Sequence, residues 1–443
     1  MKSLKSNTTR SRQKGSFRTA KGITLISLVI TIIILLILAA VAIGTLTGDN
    51  GLIKRAQDAK NNTLDAQNLE NATFGDLENL IDSSTGTTNG GNGGASGGGN
   101  GGGSGNQGQA ITGVNTAETN PAGAIPTGAT IIEGDATKGI VMKDSKDNEW
   151  VWVEVPKTIY TNSTYLTGAT TPTSNTDYTN IEKIMQNYAS DYRNSSYKDE
   201  WYSEAQHGFA SAEEYNTAKN NMLKSVYDNG GFWIGRYEAG NANATVNNET
   251  IASAREDAYI AANPAVIKAD QIPYNFITNK QAQTLSKSLA TGGKTSSLMF
   301  GIQWDLTFKF LEEKTDLTLA DIKTDSKSWG NYYGSTINLS KGKYNTSPDS
   351  SSSTWKAVTA GAKNGEMLLT TGASEDTNKM NIYDFAGNEW EWTLEQYTSR
   401  SSIPCTIRGG CYYNSGSSHP ASYHEVRSTS NSYYIIGFRP ALY

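Results

Sequence analysis

The stretch NIYDFAGNEWEWT, residues Asn381–Thr393, decides the fold of the C-terminal part of the chain. Two glutamates alternate in it with two tryptophans: Glu389, Trp390, Glu391 and Trp392. A period of two is the period of a β-strand, so the tryptophans share one face and the carboxylates the other. The pair Gly387-Asn388 just before them is a strong turn signal. The stretch therefore predicts a tight turn followed by a strand whose tryptophans enter the core.

Three further motifs accompany this stretch: GFWIGRYE (Gly231–Glu238), IRGGCYYN (Ile407–Asn414) and IGFRPAL (Ile436–Leu442). Together the motifs resemble the formylglycine-generating-enzyme (sulfatase-modifying factor) family, over Ile131 to Tyr443. The resemblance implies a variant of the C-type-lectin fold, an α+β domain with short strands and much irregular structure. That fold hosts both an oxidase and binding proteins, so function must be argued from the site.

Composition narrows the class of protein. The chain has 443 residues, enough for two or three domains, and a net charge of −5. Seven of its 38 basic residues fall within the first 22 positions, which hold no acid, so the remainder is clearly acidic. An acidic chain rich in Ser, Thr, Asn and Tyr does not indicate nucleic-acid binding. Two cysteines argue against a disulfide-built scaffold.

The N-terminus predicts a membrane anchor. A basic leader, residues 1–22, runs into Ile23–Leu46, which has 24 residues without charge or proline. This is long enough for one transmembrane helix, and the positive leader places the rest of the chain outside the cell membrane, at the cell surface. A cleaved secretory signal is the alternative, but the apolar run is too long for it and no A-x-A site follows.

The junction Lys21–Leu28 resembles a type IV prepilin leader. The resemblance implies cleavage after Gly22, with Ile23 as the new and often methylated N-terminus. Pilins usually carry glutamate at the fifth mature position, where this chain has Ser27. Pilin-type assembly is therefore open, whereas membrane anchoring does not depend on it.

Two segments are expected between the anchor and the domain. Residues 47–85 show apolar residues at helical spacing and predict a stalk helix, either packed against a neighbour or solvated alone. Residues 86–130 predict a linker, because 13 of the first 23 residues are glycine and such a chain behaves as a flexible coil. The globular domain is then expected at 131–443.

Local patterns predict elements inside this domain. They are a hairpin in Gly139–Pro156, a helix at Ala212–Tyr227, a strand in Gly230–Gly240, a helix capped by Thr278 or Asn279, and a helix within Leu298–Leu311.

The family resemblance implies a structural Ca²⁺ under the opening stretch. The implied ligands are the side chains of Asp384 and Glu391 and the backbone carbonyls of Gly387 and Glu389. All are hard oxygen donors of the kind that Ca²⁺ prefers. The alternative is that Asp384 caps the turn and Glu391 faces water.

The resemblance also bears on catalysis. The family's oxidase uses two cysteines just after the RGG motif to bind copper and the substrate thiol, and soft thiolate suits Cu(I). The matching positions here hold Asn414 and His419. Cys405 and Cys411 flank the motif instead, and an extended strand would hold them about 20 Å apart, too far for a disulfide or a shared ion. We therefore expect no enzymatic activity.

The segment Cys411–Ile435 predicts a binding surface. Its tyrosines and histidines are interleaved with Ser and Asn, a mixture that antibody paratopes use. An ordinary polar loop is the alternative for any single tyrosine. The expected partner is an extracellular protein or glycan. The candidate ligand-binding residues are Cys411, Tyr412, Tyr413, His419, Tyr423, His424, Tyr433 and Tyr434.

A sharper version comes from a second resemblance. Variable proteins of diversity-generating retroelements use this fold and place mutable residues just before a C-terminal G-F-R, here Gly437–Arg439. The sequence thus predicts a membrane-anchored, ligand-binding surface protein, with an extracytoplasmic oxidase or a minor structural pilin as alternatives. The residues expected to form the framework are Arg408, Gly409, Gly410, Arg427, Gly437 and Arg439, with Glu238 and Glu391 as partners for buried arginines.

Overall fold

The computed structural model describes residues 108–166, 171–244, 255–348, 354–359, 361–364 and 366–443. The predicted leader, transmembrane helix and stalk, and the linker up to residue 107, lie outside these ranges. None of the helices in the described ranges has the length and apolar character needed to cross a membrane.

The described residues fold into short helices and short strands. The α-helices are α1 (Asn175–Tyr188), α2 (Glu204–His207), α3 (Ala212–Asn229), α4 (Asp257–Ala262), α5 (Asn279–Lys287), α6 (Gly301–Lys314) and α7 (Leu319–Lys323). Turns of 3₁₀ helix lie at Pro121–Ala124, Lys157–Tyr160 and Ser190–Tyr192. The predicted helices at 212–227 and 298–311 are confirmed as α3 and α6, each running two or three residues further.

The strands are numbered in chain order. They are β1 (Thr130–Asp135), β2 (Gly139–Lys143), β3 (Glu149–Glu154), β4 (Tyr197–Lys198), β5 (Gly231–Gly235), β6 (Gly240–Asn241), β7 (Ala265–Val266), β8 (Ser296–Leu298), β9 (Thr336–Leu339), β10 (Lys343–Asn345), β11 (Lys356–Ala357), β12 (Gly361–Asn364), β13 (Leu368–Leu369), β14 (Asn378–Lys379), β15 (Ile382–Tyr383), β16 (Trp390–Tyr397), β17 (Cys405–Arg408), β18 (His424–Arg427), β19 (Ile436–Phe438) and β20 (Pro440–Leu442).

Two larger sheets organise the domain. The first has the order β1-β2-β3-β5-β20-β8 and is antiparallel throughout. Its β2–β3 pair is the predicted hairpin, and β5 is the predicted strand between glycines. The second sheet has the order β18-β17-β16-β19, and β4 also pairs with β16. Helices and sheets are thus mixed, as the expected α+β class requires.

The C-terminus joins the two sheets. Strand β19 runs parallel to β16 in the second sheet, with Trp392 opposite Phe438. One residue later the chain enters the first sheet, where β20 lies between β5 and β8. Arg439 is the residue between these strands, so its side chain sits where the sheets meet.

Tryptophans fill the core, as the opening stretch predicts. Trp152 and Trp233 meet edge to face at 5.1 Å between ring centroids, and Trp304 stacks on Phe385 at 4.1 Å. The carboxylates on the other side of this stretch, Glu389 and Glu391, are buried as well, because both sides of the strand are covered.

Helix α5 begins where the sequence places it. The Thr278 hydroxyl accepts a hydrogen bond from the Gln281 backbone N–H, and the Gln281 side chain accepts one from the Thr278 N–H. This reciprocal capping box satisfies two amide groups that the first turn leaves unpaired.

The predicted linker ends earlier than expected. Residues 108–130 pack on the domain: Thr119 Oγ1 accepts a hydrogen bond from Trp152 Nε1 at 3.0 Å, and the Ala124 carbonyl accepts one from Trp233 Nε1 at 3.2 Å. The prolines of this segment form ordered turns, Pro121 opening a 3₁₀ helix that Asn120 caps. The boundary predicted at residue 131 therefore moves at least to residue 108.

Candidate ligand-binding face

A tight turn positions the start of β16. Gly387 and Asn388 both have positive φ angles, 76° and 57°. A Cβ atom at Gly387 would lie 2.2 Å from the Asn331 carbonyl oxygen, so a glycine is required there. Asn388 then donates from its side chain to Glu238 at 2.5 Å, and the Glu389 N–H donates to the same carboxylate at 3.0 Å. Glu238 thus anchors the turn rather than an arginine.

Arg439 links the two larger sheets through hydrogen bonds. Its Nη2 donates to Glu391 Oε1 at 2.9 Å, and its Nε contacts both oxygens of that carboxylate. The remaining donors reach the backbone carbonyls of Gly235 and Tyr383, both at 2.8 Å. The predicted pairing of Glu391 with a framework arginine is confirmed.

A second buried network holds β17. Arg408 donates to Asp305 at 3.0 Å and to Glu395 at 3.3 Å. Arg193 donates to the other oxygen of Asp305 at 2.7 Å, and His424 Nε2 lies 3.5 Å from Glu395. Burial raises the pKa of Glu395, but the positive charges of Arg408 and Arg193 help to lower it below its usual value. The guanidinium groups thus neutralise the carboxylates at this place in the core.

The predicted binding residues divide by exposure. Tyr413, Tyr423 and Tyr433 are exposed, whereas His419 and Tyr434 are partly buried. His424 is nearly covered and faces Glu395 and the Tyr197 ring. Cys411 and Tyr412 lie in the core, which corrects their assignment as ligand contacts: strand pairing and the turn at Asn388 draw this part of the segment inward.

Trp390 lies next to the rings of Tyr423 and His419. Its ring lies 6.2 Å from that of Tyr423, and its Nε1 donates to Asn414 Oδ1 at 2.9 Å. His419 completes the group, with ring centroids 4.8 Å from Tyr423 and 5.6 Å from Trp390. The side chain of Tyr413 emerges next to Asn414. The buried indole therefore packs against Tyr423 and His419 and holds the side chain of Asn414.

Sequence reasoning missed Tyr333. Its side chain is 52% exposed, and its backbone N–H donates to the Asn414 carbonyl at 2.8 Å. The loop after α7 thus adds a fourth tyrosine beside Tyr413. The sequence signal was the pair Tyr332-Tyr333 between Gly330 and Gly334. We call the side chains of Tyr333, Tyr413, His419, Tyr423 and Tyr433 the tyrosine face.

The backbone at Tyr433 is held by the segment that contains Phe276. The Tyr433 carbonyl accepts a hydrogen bond from the Phe276 N–H at 3.2 Å, and the Tyr434 ring packs 6.4 Å from that of Phe276. Tyr434 also contacts a small hydrophobic cluster that contains Tyr412, Trp355 and other buried side chains. This cluster links both ends of the segment.

The cysteines do not fit a copper site. Cys405 and Cys411 are free and buried, and burial raises the pKa of both thiols, that of Cys411 to about 12. Thiolate is the form that binds Cu(I). At the positions matching the family's pair, Asn414 accepts a hydrogen bond from Trp390, and His419 meets aromatic rings edge to face. These two cysteines therefore do not supply the thiolate pair that Cu(I) requires.

The implied calcium ligands also have other partners. Asp384 accepts hydrogen bonds from the Gly372 N–H at 2.9 Å and from Thr377 Oγ1 at 2.8 Å. Both oxygens of Glu391 face the guanidinium of Arg439, whose charge opposes a bound cation. Within the described ranges, no group of three or more His, Cys, Asp or Glu side chains is placed to hold a metal ion. The arrangement does not favour Ca²⁺, which stays an untested prediction.

Comparison with known proteins locates the domain. Residues 315–442 match the family model described as a sulfatase-modifying factor enzyme 1-like domain. The matched residues contain β9–β20 and the whole tyrosine face. No curated protein matches the chain.

One solved structure that is similar to this chain is Treponema denticola variable protein 1. It has 13% sequence identity, and the alignment covers 72% of this chain and 92% of that chain, with a TM-score of 0.20.

Proposed function

We propose that this chain is a membrane-anchored surface receptor whose C-type-lectin-like domain binds a macromolecular ligand through the tyrosine face. The observation that supports this most directly is the exposure of Tyr333, Tyr413, Tyr423 and Tyr433 above a covered framework. Tyrosine offers a large contact area with few rotatable bonds and a polar tip, and it is the residue that paratopes favour.

The backbone under the face is held in advance of binding. The Tyr412 N–H donates to the Asn388 carbonyl at 3.0 Å, and the Tyr333 N–H to the Asn414 carbonyl at 2.8 Å. A fixed backbone lowers the conformational entropy that binding must overcome, and tyrosine itself has few rotatable bonds. The face therefore suits a ligand with a broad surface, such as an extracellular protein or a glycan.

The separation between exposed side chains and buried framework residues supports the hypothesis that the exposed positions are diversified. The exposed side chains contact solvent, so a change at Tyr413, Tyr423 or Tyr433 leaves the core packing intact, whereas Arg408 and Arg439 are buried ion-pair partners. A receptor that varies its ligand contacts needs such a separation. The proposal is therefore that the segment before Gly437–Arg439 is the variable part of a diversity-generating retroelement target.

The anchor in this proposal rests on the sequence. Ile23–Leu46 has the length and composition of a transmembrane helix, and the basic leader before it favours an external domain. The acidic balance of the remaining chain suits an extracellular partner better than a nucleic acid.

A binding comparison tests the proposal. Full-length protein in lipid nanodiscs would be applied to glycan arrays and to panels of purified bacterial surface proteins. A triple variant, Tyr413→Ala with Tyr423→Ala and Tyr433→Ala, should reduce affinity for any specific ligand at least 100-fold, as loss of several aromatic hot spots does. Tyr202→Ala, an exposed tyrosine away from the segment, is the control. A specific ligand that binds the triple variant equally well would contradict the proposal.

A further inference from the structure

Three of the four edges of the two larger sheets are covered by other parts of the described chain. The segment 109–112 runs along β1, and its backbone N–H groups donate to carbonyls of that strand. Helix α5 covers β8, where the Leu298 N–H donates to Gln283 Oε1 at 2.8 Å. Strand β19 is buried, and the Phe438 carbonyl accepts a hydrogen bond from the Ala239 N–H at 2.8 Å. The edge at β18 is the fourth.

The edge at β18 has no strand beside it within the described ranges. The strand pairs with β17 on one side only, with His424 opposite Arg408 and Arg427 opposite Cys405. All four of its residues, His424–Arg427, are partly exposed. A strand edge of this kind offers N–H and C=O groups on which another chain can add, so folded proteins close such edges, often with charged side chains.

Two side chains close this edge. Glu425 and Arg427 stand two residues apart and therefore on the same face of β18, where Arg427 Nη1 donates to Glu425 Oε1 at 2.9 Å. The same carboxylate oxygen accepts a hydrogen bond from the Val426 N–H at 2.9 Å, and the same nitrogen donates to the Val426 carbonyl at 2.7 Å. Neither side chain could reach groups that point between β17 and β18, so both backbone groups of Val426 point outwards from the sheet edge.

We propose that Glu425 and Arg427 form a clasp that closes the edge of β18 against a second copy of this chain. A second copy is the partner that the edge fits, because two β18 strands related by a two-fold axis at Val426 place this residue opposite itself. Each Val426 would then exchange N–H···O=C bonds with the other. The clasp occupies both groups beforehand, and it keeps this role whether the tyrosine face has one ligand or many.

The hydrogen bonds favour the closed edge. Pairing of two copies at Val426 would form two bonds between neutral groups and break four bonds to charged groups, two in each copy. Hydrogen bonds with one ionised partner are roughly twice as strong as neutral ones. Both side chains of the clasp are 24% exposed, and this partial burial limits the screening of their charges by salt. An intact clasp should therefore prevent association at this edge, and its loss should permit it.

Cysteine cross-linking of the full-length protein tests the clasp. Val426→Cys puts a thiol at the two-fold axis, where the two Cα atoms would lie about 5.5 Å apart, within reach of a disulfide. With the clasp intact we expect little covalent dimer after mild oxidation in detergent solution. Adding Glu425→Ala and Arg427→Ala should raise the dimer fraction about fivefold or more, which corresponds to one net hydrogen bond. Arg427→Ala alone, which frees only the carbonyl, should give a smaller rise.

Two controls isolate the effect of the clasp. Glu425→Gln with Arg427→Lys keeps an acceptor and a donor for Val426, so Val426→Cys should cross-link as little in this background as with the intact clasp. Thr217→Cys, at an exposed position on α3, should give the same low dimer fraction with and without the alanine substitutions.

Two results would overturn the proposal. One is equal cross-linking of Val426→Cys with and without the clasp. The other is a parallel rise at Thr217→Cys when the alanines are added, because the association would then not run through β18. The native thiols of Cys405 and Cys411 are buried and common to all variants, so they do not bias the comparison.

Discussion

Tyr412 and Tyr413 are adjacent in sequence with ring centroids 6.5 Å apart, yet Tyr412 is 3% exposed and Tyr413 is 64% exposed. The first ring packs with Ile272, Trp355 and Leu368, and the second points into solvent. The boundary between framework and binding surface thus passes between two identical neighbours.

This boundary predicts opposite effects of the same substitution. Tyr412→Ala should lower the free energy of unfolding by about 3–5 kcal/mol, as expected when a buried aromatic side chain is truncated. Tyr413→Ala should change it by less than about 0.5 kcal/mol, because the side chain is at the surface. Urea unfolding of the two variants measures the difference. Equal losses would show that Tyr413 also belongs to the core.

If the gene is diversified, its variable codons should fall on the exposed side of the boundary between Tyr412 and Tyr413. Deep sequencing of the 3′ end of the gene, across many cells of the source strain, should find substitutions at Tyr413, Tyr423 and Tyr433. Codons for Tyr412 and Arg408 should stay constant, because their side chains are buried. A near-copy of this gene segment beside a reverse-transcriptase gene would accompany the pattern. A uniform sequence would remove diversification and leave a receptor with one fixed ligand.

Local sequence patterns predicted the local elements well. The alternation in β3 and β16, the cap at Thr278 and the turn at Gly387-Asn388 depend on neighbours within a few residues. The face of each strand that meets solvent depends on distant segments instead. Glu391 has the pattern of a solvent-facing residue, but the chain reaches it again 48 residues later with Arg439.

At the candidate site, too, the sequence predicted the composition of the surface but not which side chains are exposed. The composition of the segment 411–435 indicated a binding surface, but composition does not separate Tyr412 from Tyr413. Tyr333 reaches the face through a backbone hydrogen bond to Asn414, and nothing in its own loop marks that contact. Arg408 pairs with Asp305, which is 103 residues away in the sequence, and the periodicity of the sequence does not predict such a long-range pair.

The buried pair of Glu391 and Arg439 predicts a large loss of stability. Arg439→Met leaves the carboxylate uncompensated and the carbonyls of Gly235 and Tyr383 without their donor, which should cost about 3–5 kcal/mol. The exposed pair Lys280–Glu204, 2.6 Å apart, is the control, and Lys280→Met should cost about 1 kcal/mol or less.

A double variant identifies the source of this loss. Glu391→Gln combined with Arg439→Met should recover part of the stability in urea unfolding, because it removes the uncompensated charge. Additive losses from the two substitutions would contradict a direct pair.

Calcium is predicted to have little effect on stability. Both carboxylates implied as ligands have partners, and Arg439 already places a positive charge on Glu391. We therefore expect the melting temperature to stay unchanged, within a few degrees, when about 5 mM Ca²⁺ or an excess of chelator is added. A rise in melting temperature with Ca²⁺ that disappears in Asp384→Asn would instead support the calcium site that the family resemblance implies.

Glu389 predicts how stability depends on pH. Burial raises its pKa to about 8 from a usual value of 4.5, and its Oε2 has no hydrogen-bond partner among the described residues. The folded chain therefore holds a proton that the unfolded chain releases between these values. The contribution of this proton to stability is fully present below about pH 4.5 and is lost as the pH rises through about 8.

The free energy of unfolding should therefore decrease as the pH rises. One proton contributes up to about 1.4 kcal/mol per pH unit, so the free energy of unfolding should fall with rising pH between pH 5 and 8. Burial also raises the pKa of Glu391 and of Asp199, each to about 7, so they add to the slope of the wild type. Glu389→Gln keeps the size of the side chain beside Gly437 and removes one titrating group. Urea unfolding at several pH values should show that the free energy of unfolding declines less steeply with pH in this variant than in the wild type. Parallel profiles of the two proteins would contradict the assignment, because Glu389 would then have the same proton affinity in the folded and unfolded states.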